Sequence, residues 1–424
     1  MSAENTRQIG FFKTWYLENK NATWIIAFVV LFFLLGVFVV GMGTGYYLRV
    51  LHQRARAQEI VVPAYQGTAV PHMAGMEIIL DGQSSGIFVD DKNYIALQPL
   101  LDMLGGEAVW NQETRMIQIV FNNNEIYVRP NIREATINGR TVMLSSPLRI
   151  GDDRSIVSMD FVTRYMQLGL GVMDDRVILT TEPATYVPVL IYHHILPREK
   201  NTAMPNNPWV VSTEYFTEQM QFLRDNNFYP VTLDDMENFL LNGRNLPARS
   251  IMIHFDDGYY SNFVYAAPIL REYNMRAQVF LITSEMEALG DIQPPLDYTC
   301  LTFAAMHTIE ANFDVFETAS HSHDLHDRVY GSSYTGLMHA MRDTIIADTL
   351  RSFDFTQNHR AYVYPLSQFN EYVVNALQDA GIVIAFESGN VPATRNANPF
   401  AIPRISVYNT TTLEDFIRRL HVFN

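Results

Sequence analysis

Residues 250–263 read SIMIHFDDGYYSNF, and this stretch decides the fold. Its first part is a short, mainly apolar run of the kind that forms a strand buried on both faces, and a glycine follows closely. Two adjacent carboxylates, Asp256 and Asp257, stand where this strand is expected to end. Functional groups in parallel α/β folds gather at the carboxyl ends of the strands, so the pair marks a candidate site.

The chain from Pro188 onward repeats this sequence pattern, with apolar runs separated by amphipathic stretches. We predict strands at 188–194, 228–233, 250–257, 276–283, 315–321, 360–365, 382–388 and 402–407. Helical patterns lie between most of them, such as NEYVVNALQDAG, which Gly381 closes. Alternating strands and helices over about 235 residues predict an α/β fold with a parallel sheet, and this length suits a distorted (β/α) barrel of about seven strands.

The N-terminal region contains one long apolar segment. Residues 24–48 carry no charge, and at about 1.5 Å per residue a helix of this length exceeds the roughly 30 Å core of a bilayer. We therefore predict a retained transmembrane helix and not a cleaved signal peptide, whose apolar part is about 7 to 15 residues long. Positive charges flank the segment almost equally and do not orient it. Residues 49–75 have the mixed composition of a linker.

Composition excludes one class of partner. The chain has 424 residues, of which 48% are hydrophobic, so it can build more than one core. Its net charge of −15, without a basic stripe, argues against a nucleic-acid partner. Cys300 is the single cysteine, so no intramolecular disulfide can form. No feature of the sequence predicts an oligomeric state.

Residues 76–182 contain a weak internal repeat, because 94–121 is echoed by 155–180. Each copy has apolar residues at helical spacing followed by a β-branched run, which predicts a short helix and then a hairpin. These residues resemble the copper amine oxidase N-terminal-like domain, a small α+β module often found in exported proteins of Gram-positive cell envelopes. The module contains no histidine or cysteine, so we expect a spacer or wall-contact role without copper.

A second candidate for chemistry is FETASHSHDLHD, again at the end of a predicted strand. His321, His323 and His326 lie within six residues and suggest a divalent-metal site. His321 and His323 would share a strand face, and His323 and His326 a helix face. His321 and His326 would lie about 140° apart on a regular helix and converge only in a loop. Spacing alone leaves all three pairs open.

The ordered motifs PVLIYHHI, HFDDGYY, HSHDLH, YVYPLSQF and IPRISV resemble the polysaccharide deacetylase (NodB-homology) family, carbohydrate esterase family 4. The YHHI element and the His-Ser-x-x-x-His spacing are similar to the branch that deacetylates poly-N-acetylglucosamine. The resemblance covers nearly all of residues 187–421. It implies that Asp256 is the general base and that Asp257, His321 and His326 bind the metal. Two histidines and one carboxylate suit Zn best, with Co, Ni or Fe as alternatives.

The resemblance implies further roles around this centre. Ser322 would support the metal site, His193 would line its mouth, and Arg360 would orient the general base. The loop that holds the oxyanion and contacts substrate would be formed by Tyr364, Pro365 and Leu366. Three motifs depart from the family pattern. His254 replaces the threonine of T-F-D-D-G, and Leu366 and Ser367 follow Pro365 where the family often has an aromatic residue and glycine. The late leucine-x-histidine motif, the usual source of the general acid, is not recognisable.

We therefore expect a metal-dependent hydrolase that removes N-acetyl groups from N-acetylglucosamine units of peptidoglycan or an exopolysaccharide. This substrate class would place residues 1–23 in the cytoplasm and the deacetylase domain, 187–424, outside a single-pass membrane anchor. The expected setting is a Gram-positive type of cell surface. The alternatives are an O-acetyl esterase and a catalytically inactive protein that binds or scaffolds wall polysaccharide.

Overall fold

The computed structural model describes residues 94–420 except 152–153, 174–175, 290–296 and 303–313, together with the backbone of three short strands before residue 94. The predicted cytoplasmic N-terminus, the apolar segment 24–48 and most of the linker lie outside the described residues. Within the described part of the chain, no helix has both the length and the apolar character needed to cross a bilayer.

In its described residues, the N-terminal module contains thirteen strands and two helices. Its strands are β1 Val70–His72, β2 Gly75–Leu80, β3 Phe88–Val89, β4 Tyr94–Ala96, β5 Glu107–Asn111, β6 Met116–Phe121, β7 Asn124–Val128, β8 Glu134–Ile137, β9 Arg140–Met143, β10 Arg149–Gly151, β11 Arg154–Ser158, β12 Gly169–Met173 and β13 Arg176–Thr180. The helices are α1 Leu97–Leu104 and α2 Met159–Arg164. They form three antiparallel sheets, ordered β1-β2-β13-β12, β10-β11-β4-β3 and β5-β6-β7-β8-β9.

The predicted repeat is confirmed in this module. Helix α1 is followed by the β5–β6 hairpin, and α2 is followed by the β12–β13 hairpin. Ser158 caps α2 by accepting the backbone N–H of Phe161 at 3.2 Å, which satisfies one free donor of the first turn. The apolar faces of both helices, including Leu100 and Val162, are fully buried in one shared core.

The second half of the chain alternates strands with helices. Its strands are β14 Tyr186–Val187, β15 Val189–Tyr192, β16 His194–Leu196, β17 Val210–Ser212, β18 Tyr229–Pro230, β19 Ser250–Phe255, β20 Ala277–Leu281, β21 Phe316–Ser320, β22 Ala361–Val363, β23 Ile384–Glu387, β24 Ala393–Thr394, β25 Ile402–Pro403 and β26 Ile405–Ser406. Its α-helices are α3 Thr213–Asp225, α4 Leu233–Leu241, α5 Ala267–Glu272, α6 Thr283–Leu289, α7 Gly336–His339, α8 Arg342–Ser352, α9 Glu371–Asp379 and α10 Leu413–Leu420.

These strands form a nearly closed parallel barrel. The sheet order is β25-β23-β22-β21-β20-β19-β15-β26, with β18 paired to the start of β19. The predicted last strand, 402–407, is split in two: β25 pairs with β23 at one edge, and β26 pairs with β15 at the other. If β25 and β26 are counted as one strand, the barrel has seven strands. The split strand then joins both edges of the sheet. Arg404 is the residue between its two halves.

The module closes the amino-terminal end of the barrel. Met173 and Ile178 of the β12–β13 hairpin belong to the same buried cluster as barrel residues such as Val189, Met252 and Phe386. The hydroxyl of Tyr229, next to the start of β19, hydrogen-bonds to Asp235 at 2.7 Å and to the backbone of Val172 at 3.2 Å. The carboxyl ends of the strands therefore remain open at the opposite end.

Candidate active site

The adjacent carboxylates face one cavity because the strand ends between Phe255 and Asp256. Neighbouring residues of a strand point to opposite faces, but Asp257 and Gly258 adopt left-handed conformations with φ of 69° and 75°. This turn directs both carboxylates into a cavity of about 370 Å³. A Cβ at Gly258 would lie 2.6 Å from the Leu281 side chain, so the turn requires glycine.

Three side chains in this cavity form a compact donor cluster. Oδ1 of Asp257 lies 3.5 Å from Nε2 of His321 and 3.6 Å from Nε2 of His326, and the three ligand atoms are within 4.8 Å of one another. Burial lowers the pKa of His321 to about 4, so its ring is neutral near neutral pH. Nδ1 of His321 donates to the carbonyl of Val363 at 2.8 Å, which leaves Nε2 with a free lone pair.

The segment between the two histidines is a loop, which is the condition under which His321 and His326 can converge. Ser322 has a φ of 79°, a conformation that non-glycine residues rarely adopt. The buried carboxylate of Asp348, on α8, stabilises this turn. It accepts the Ser322 hydroxyl at 2.9 Å and the backbone N–H groups of His323 and Asp324 at 2.9 and 2.6 Å. Asp348 thus fixes the spacing of the two imidazoles.

The donor set fits a divalent metal ion. Two neutral imidazole nitrogens and one carboxylate oxygen are a common ligand set for catalytic zinc, and they leave positions open for water and substrate. Without a cation, Oδ1 of Asp257 would face the lone pair on Nε2 of His321 at about van der Waals distance, which is electrostatically unfavourable. The chemistry of Asp257, His321 and His326 therefore matches a metal site.

Asp256 is held by a different partner from its neighbour. Both of its oxygens accept hydrogen bonds from Arg404, at 2.7 and 2.8 Å, and both side chains are almost completely buried. Burial alone would raise the pKa of Asp256, but the adjacent guanidinium outweighs it and keeps the pKa well below the ordinary value. Asp256 is thus ionised and fixed in orientation, so its carboxylate is free to accept a proton.

One wall of the cavity is aromatic. The rings of His193 and Trp209 have centroids 4.3 Å apart, and Trp209 and Tyr408 follow at 4.7 Å. Nε2 of His193 lies 4.0 Å from Oδ2 of Asp257, so this imidazole borders the donor cluster. Flat apolar surfaces of this kind can pack against sugar rings and exclude water.

The predicted oxyanion loop lies on the cavity wall in part. Tyr364 and Leu366 line the cavity, whereas Pro365 is buried beside it and is not among the lining residues. The N–H of Tyr364 donates to Phe386 at 3.3 Å, and proline has no N–H. Leu366 has a φ of 51°, and its N–H makes no hydrogen bond with any residue that the structure describes. Of these three residues, Leu366 retains a free backbone donor.

Two regions of the chain match models of known protein families. Residues 243–385 match the family model for polysaccharide deacetylase, and residues 76–178 match that for the copper amine oxidase N-terminal domain. Over this region the chain is similar to polysaccharide deacetylases. The deacetylase region is 26% identical over 205 residues to the poly-beta-1,6-N-acetyl-D-glucosamine N-deacetylase of Staphylococcus epidermidis, a match that covers 47% of this chain and 68% of that protein.

Two further relatives of the deacetylase domain come from Staphylococcus and Streptococcus. The Staphylococcus aureus protein of the same name is 26% identical over 221 residues, which covers 50% of this chain and 73% of that one. The solved structure of Streptococcus pyogenes deacetylase PplD in complex with acetate is 22% identical, with a TM-score of 0.46, and the match covers 56% of this chain and 99% of that chain.

The structure contradicts the role predicted for Arg360. Arg360 does not orient Asp256, because its guanidinium pairs with Glu237 at 2.6 and 2.9 Å on the outside of the barrel. Arg360 precedes β22, at the end of the sheet opposite the cavity, and its side chain is exposed. Arg404 holds Asp256 instead. The IPRISV motif contained this arginine, and a charge within an otherwise apolar strand was a signal for a buried partner.

Among the described residues, His194, His323 and His359 do not join the cluster. Nδ1 of His323 hydrogen-bonds to Thr283 at 2.9 Å, and its Nε2 lies 3.5 Å from Glu287. His194 stacks on Tyr259 with ring centroids 3.6 Å apart, and burial lowers its pKa to about 4. His359 contacts the carbonyl of Thr356 away from the cavity. His421 lies outside the described residues.

Proposed function

We propose that this protein removes N-acetyl groups from N-acetylglucosamine units of a cell-surface polysaccharide, with a divalent metal as cofactor, for which the donor chemistry favours zinc. The proposal rests on one observation: the two adjacent carboxylates have different partners. Asp256 is bound on both oxygens by Arg404, whereas Asp257 faces His321 and His326. One carboxylate is therefore equipped to accept a proton and the other to bind a cation.

Asp257, His321 and His326 would hold the metal. When bound, a divalent ion acidifies water and polarises a carbonyl oxygen. Asp256 accepts a proton from the attacking water, since Arg404 keeps its carboxylate ionised and pointed into the cavity. The free N–H of Leu366 donates to the oxygen on which negative charge develops.

We assign to His193 the role of general acid, for which the sequence showed no recognisable motif. This imidazole lines the cavity on the side of Asp257, and its Nε2 lies 4.0 Å from that carboxylate. Amide hydrolysis needs a proton on the leaving amine, and imidazole is the common donor near neutral pH. Trp209 packs against the His193 ring and keeps it at the cavity wall.

Substrate class and location rest on other evidence. The staphylococcal relatives are named for a polymer of N-acetylglucosamine, which supports an N-acetylated glucosamine polymer as substrate, an exopolysaccharide or peptidoglycan. The uncharged segment 24–48 supports a single-pass anchor with the catalytic domain outside the membrane. The module at 76–178 would then lie between the membrane and the catalytic domain.

The decisive experiment measures acetate release by the purified protein. β-1,6-linked N-acetylglucosamine oligomers, peptidoglycan fragments and an O-acetylated glycan should be supplied as substrates, with Zn²⁺ added or removed by a chelator. We expect metal-dependent release from an N-acetylated glycan. Asp256→Asn should abolish turnover while it retains Zn²⁺, and Asp257→Asn should lose Zn²⁺ affinity.

The outcomes separate the alternatives. Acetate released from the O-acetylated glycan alone would replace the amidase proposal with an esterase. Tight binding of glycan without acetate release from any substrate would favour a catalytically inactive scaffold. Equal turnover by the wild type and by Asp256→Asn would show that Asp256 is not the base.

A further inference from the structure

His254 occupies a place in the barrel where a histidine has no obvious reason to be. It is fully buried on β19, two residues before Asp256 and therefore on the same face of the strand. Its ring packs against Phe280 and Phe386, with centroids 4.7 and 4.6 Å away. Its Nδ1 lies 3.4 Å from Nη1 of Arg404, the arginine that holds Asp256.

The contact with Arg404 determines the protonation state of the ring. A guanidinium has donors only, so the Nδ1 that faces Nη1 must carry a lone pair. Burial, together with the adjacent positive charge of Arg404, lowers the pKa of His254 well below its ordinary value. The ring is therefore neutral, with its proton on Nε2, and Nε2 has no hydrogen-bond partner among the described residues.

This tautomer completes the set of acceptors around Arg404. Nη1 and Nη2 each donate to one oxygen of Asp256, and Nε donates to the carbonyl of Glu387 at 3.3 Å. The second hydrogen of Nη1 is left for Nδ1 of His254. Acceptors on several sides of the guanidinium fix its plane, which is the plane in which both oxygens of Asp256 must lie for a two-point contact.

We propose that His254 is a positioning residue, which accepts a hydrogen bond from Arg404 through an unprotonated Nδ1 and thereby keeps the guanidinium aligned with the general base. This inference rests on the proposed function in the role that it gives to Asp256. The orphan Nε2–H is consistent with such a role, because a histidine kept for packing alone could be replaced by an apolar side chain without an unpaired donor.

The kinetic test compares two variants of the full chain. His254→Asn retains an acceptor near the Nδ1 position, and His254→Leu retains similar bulk without one. We expect His254→Leu to lower kcat about 10-fold or more with KM and Zn²⁺ affinity within about twofold, as for an interaction made to the transition state. His254→Asn should restore most of kcat. Phe280→Leu, which changes only the packing of the ring, should lower stability and leave kcat near that of the wild type.

A spectroscopic test is independent of turnover and of metal. The ¹⁵N spectrum of labelled, metal-free protein, assigned by the signals lost in His254→Asn, should show an unprotonated Nδ1 and a protonated Nε2. A protonated Nδ1, or an unchanged kcat in His254→Leu, overturns the inference. If the wild type releases no acetate, the proposed function fails, and the tautomer still decides whether His254 accepts from Arg404.

Discussion

The hydroxyl of Ser322 donates to the carboxylate of Asp348 across 2.9 Å, and this contact links the loop between His321 and His326 to helix α8. The same carboxylate accepts the N–H groups of the next two residues, so it determines how far apart His321 and His326 stand. A residue that touches no ligand atom thereby controls the ligand geometry.

Replacement of Asp348 should weaken metal binding. Asp348→Asn removes charge-assisted acceptors from a strained turn, and outer-shell changes of this kind typically reduce metal affinity by about 10- to 100-fold. Titration with Zn²⁺ against a competing chelator measures the change. Asp343→Asn, an exposed carboxylate on the same helix, serves as the control. Unchanged Zn²⁺ affinity in Asp348→Asn would show that Asp348 does not support metal binding.

The two arginines should respond differently to the same substitution. Arg404→Lys replaces a two-point contact by a single charge, so kcat should fall about 10-fold or more. Because Arg404 holds the pKa of Asp256 low, a weaker contact lets burial raise that pKa, and the acid limb of the kcat/KM profile should move to higher pH. Arg360→Lys should keep the wild-type rate and profile. Equal effects of the two substitutions would contradict the assignment.

Proton donation by His193 predicts a dependence on the leaving group. His193→Gln should lower N-acetyl hydrolysis strongly, about 100-fold, because an amine leaves poorly without a proton. Hydrolysis of an aryl acetate, whose phenolate leaves unaided, should change by much less. Parallel assays of the two substrates on one enzyme preparation measure the ratio. A proportional loss on both substrates would assign His193 to binding or metal support.

The aromatic wall predicts an effect on substrate binding. Trp209→Ala removes the ring that packs between His193 and Tyr408, and we expect KM for an N-acetylglucosamine oligomer to rise about 10-fold, with a smaller change in kcat. Trp110→Ala is the matched control, since Trp110 is 46% exposed on the N-terminal module. A KM that responds equally to both substitutions would exclude a specific contact at Trp209.

The buried cluster that Met173 and Ile178 of the module share with the barrel predicts that module and barrel unfold together. Tyr229→Phe removes the buried hydroxyl that joins Asp235 to Val172, at a cost of about 1–3 kcal/mol. Calorimetry should show one transition at a lower Tm, with kcat unchanged. Tyr330→Phe, at a fully exposed position, should leave Tm unaltered. Two separate transitions in the wild type would show that the module folds independently.

The strands and the residues of the donor cluster could be predicted from the sequence because both follow local patterns and motifs. Apolar runs mark buried strands, and the carboxylates and histidines follow them directly in the chain. Arg404 was missed because its role depends on strand closure: β25 and β26 pair with opposite edges of the sheet, and no one-dimensional pattern contains that relationship. Asp348 belongs to the buried stripe of α8 with Ile345 and Ser352, where a lone carboxylate was the available signal.

The position of Arg404 at the closure of the barrel ties catalytic competence to the completion of folding. Asp256 and the three residues of the donor cluster are all translated before residue 327, yet the guanidinium that pairs with Asp256 arrives about 80 residues later, with the strand that joins the two sheet edges. A nascent chain that ends before Arg404 would carry the ligands of the metal but an unpaired carboxylate beside them. If Asp256 is the base, as proposed, full activity would require the strand that closes the barrel to be in place.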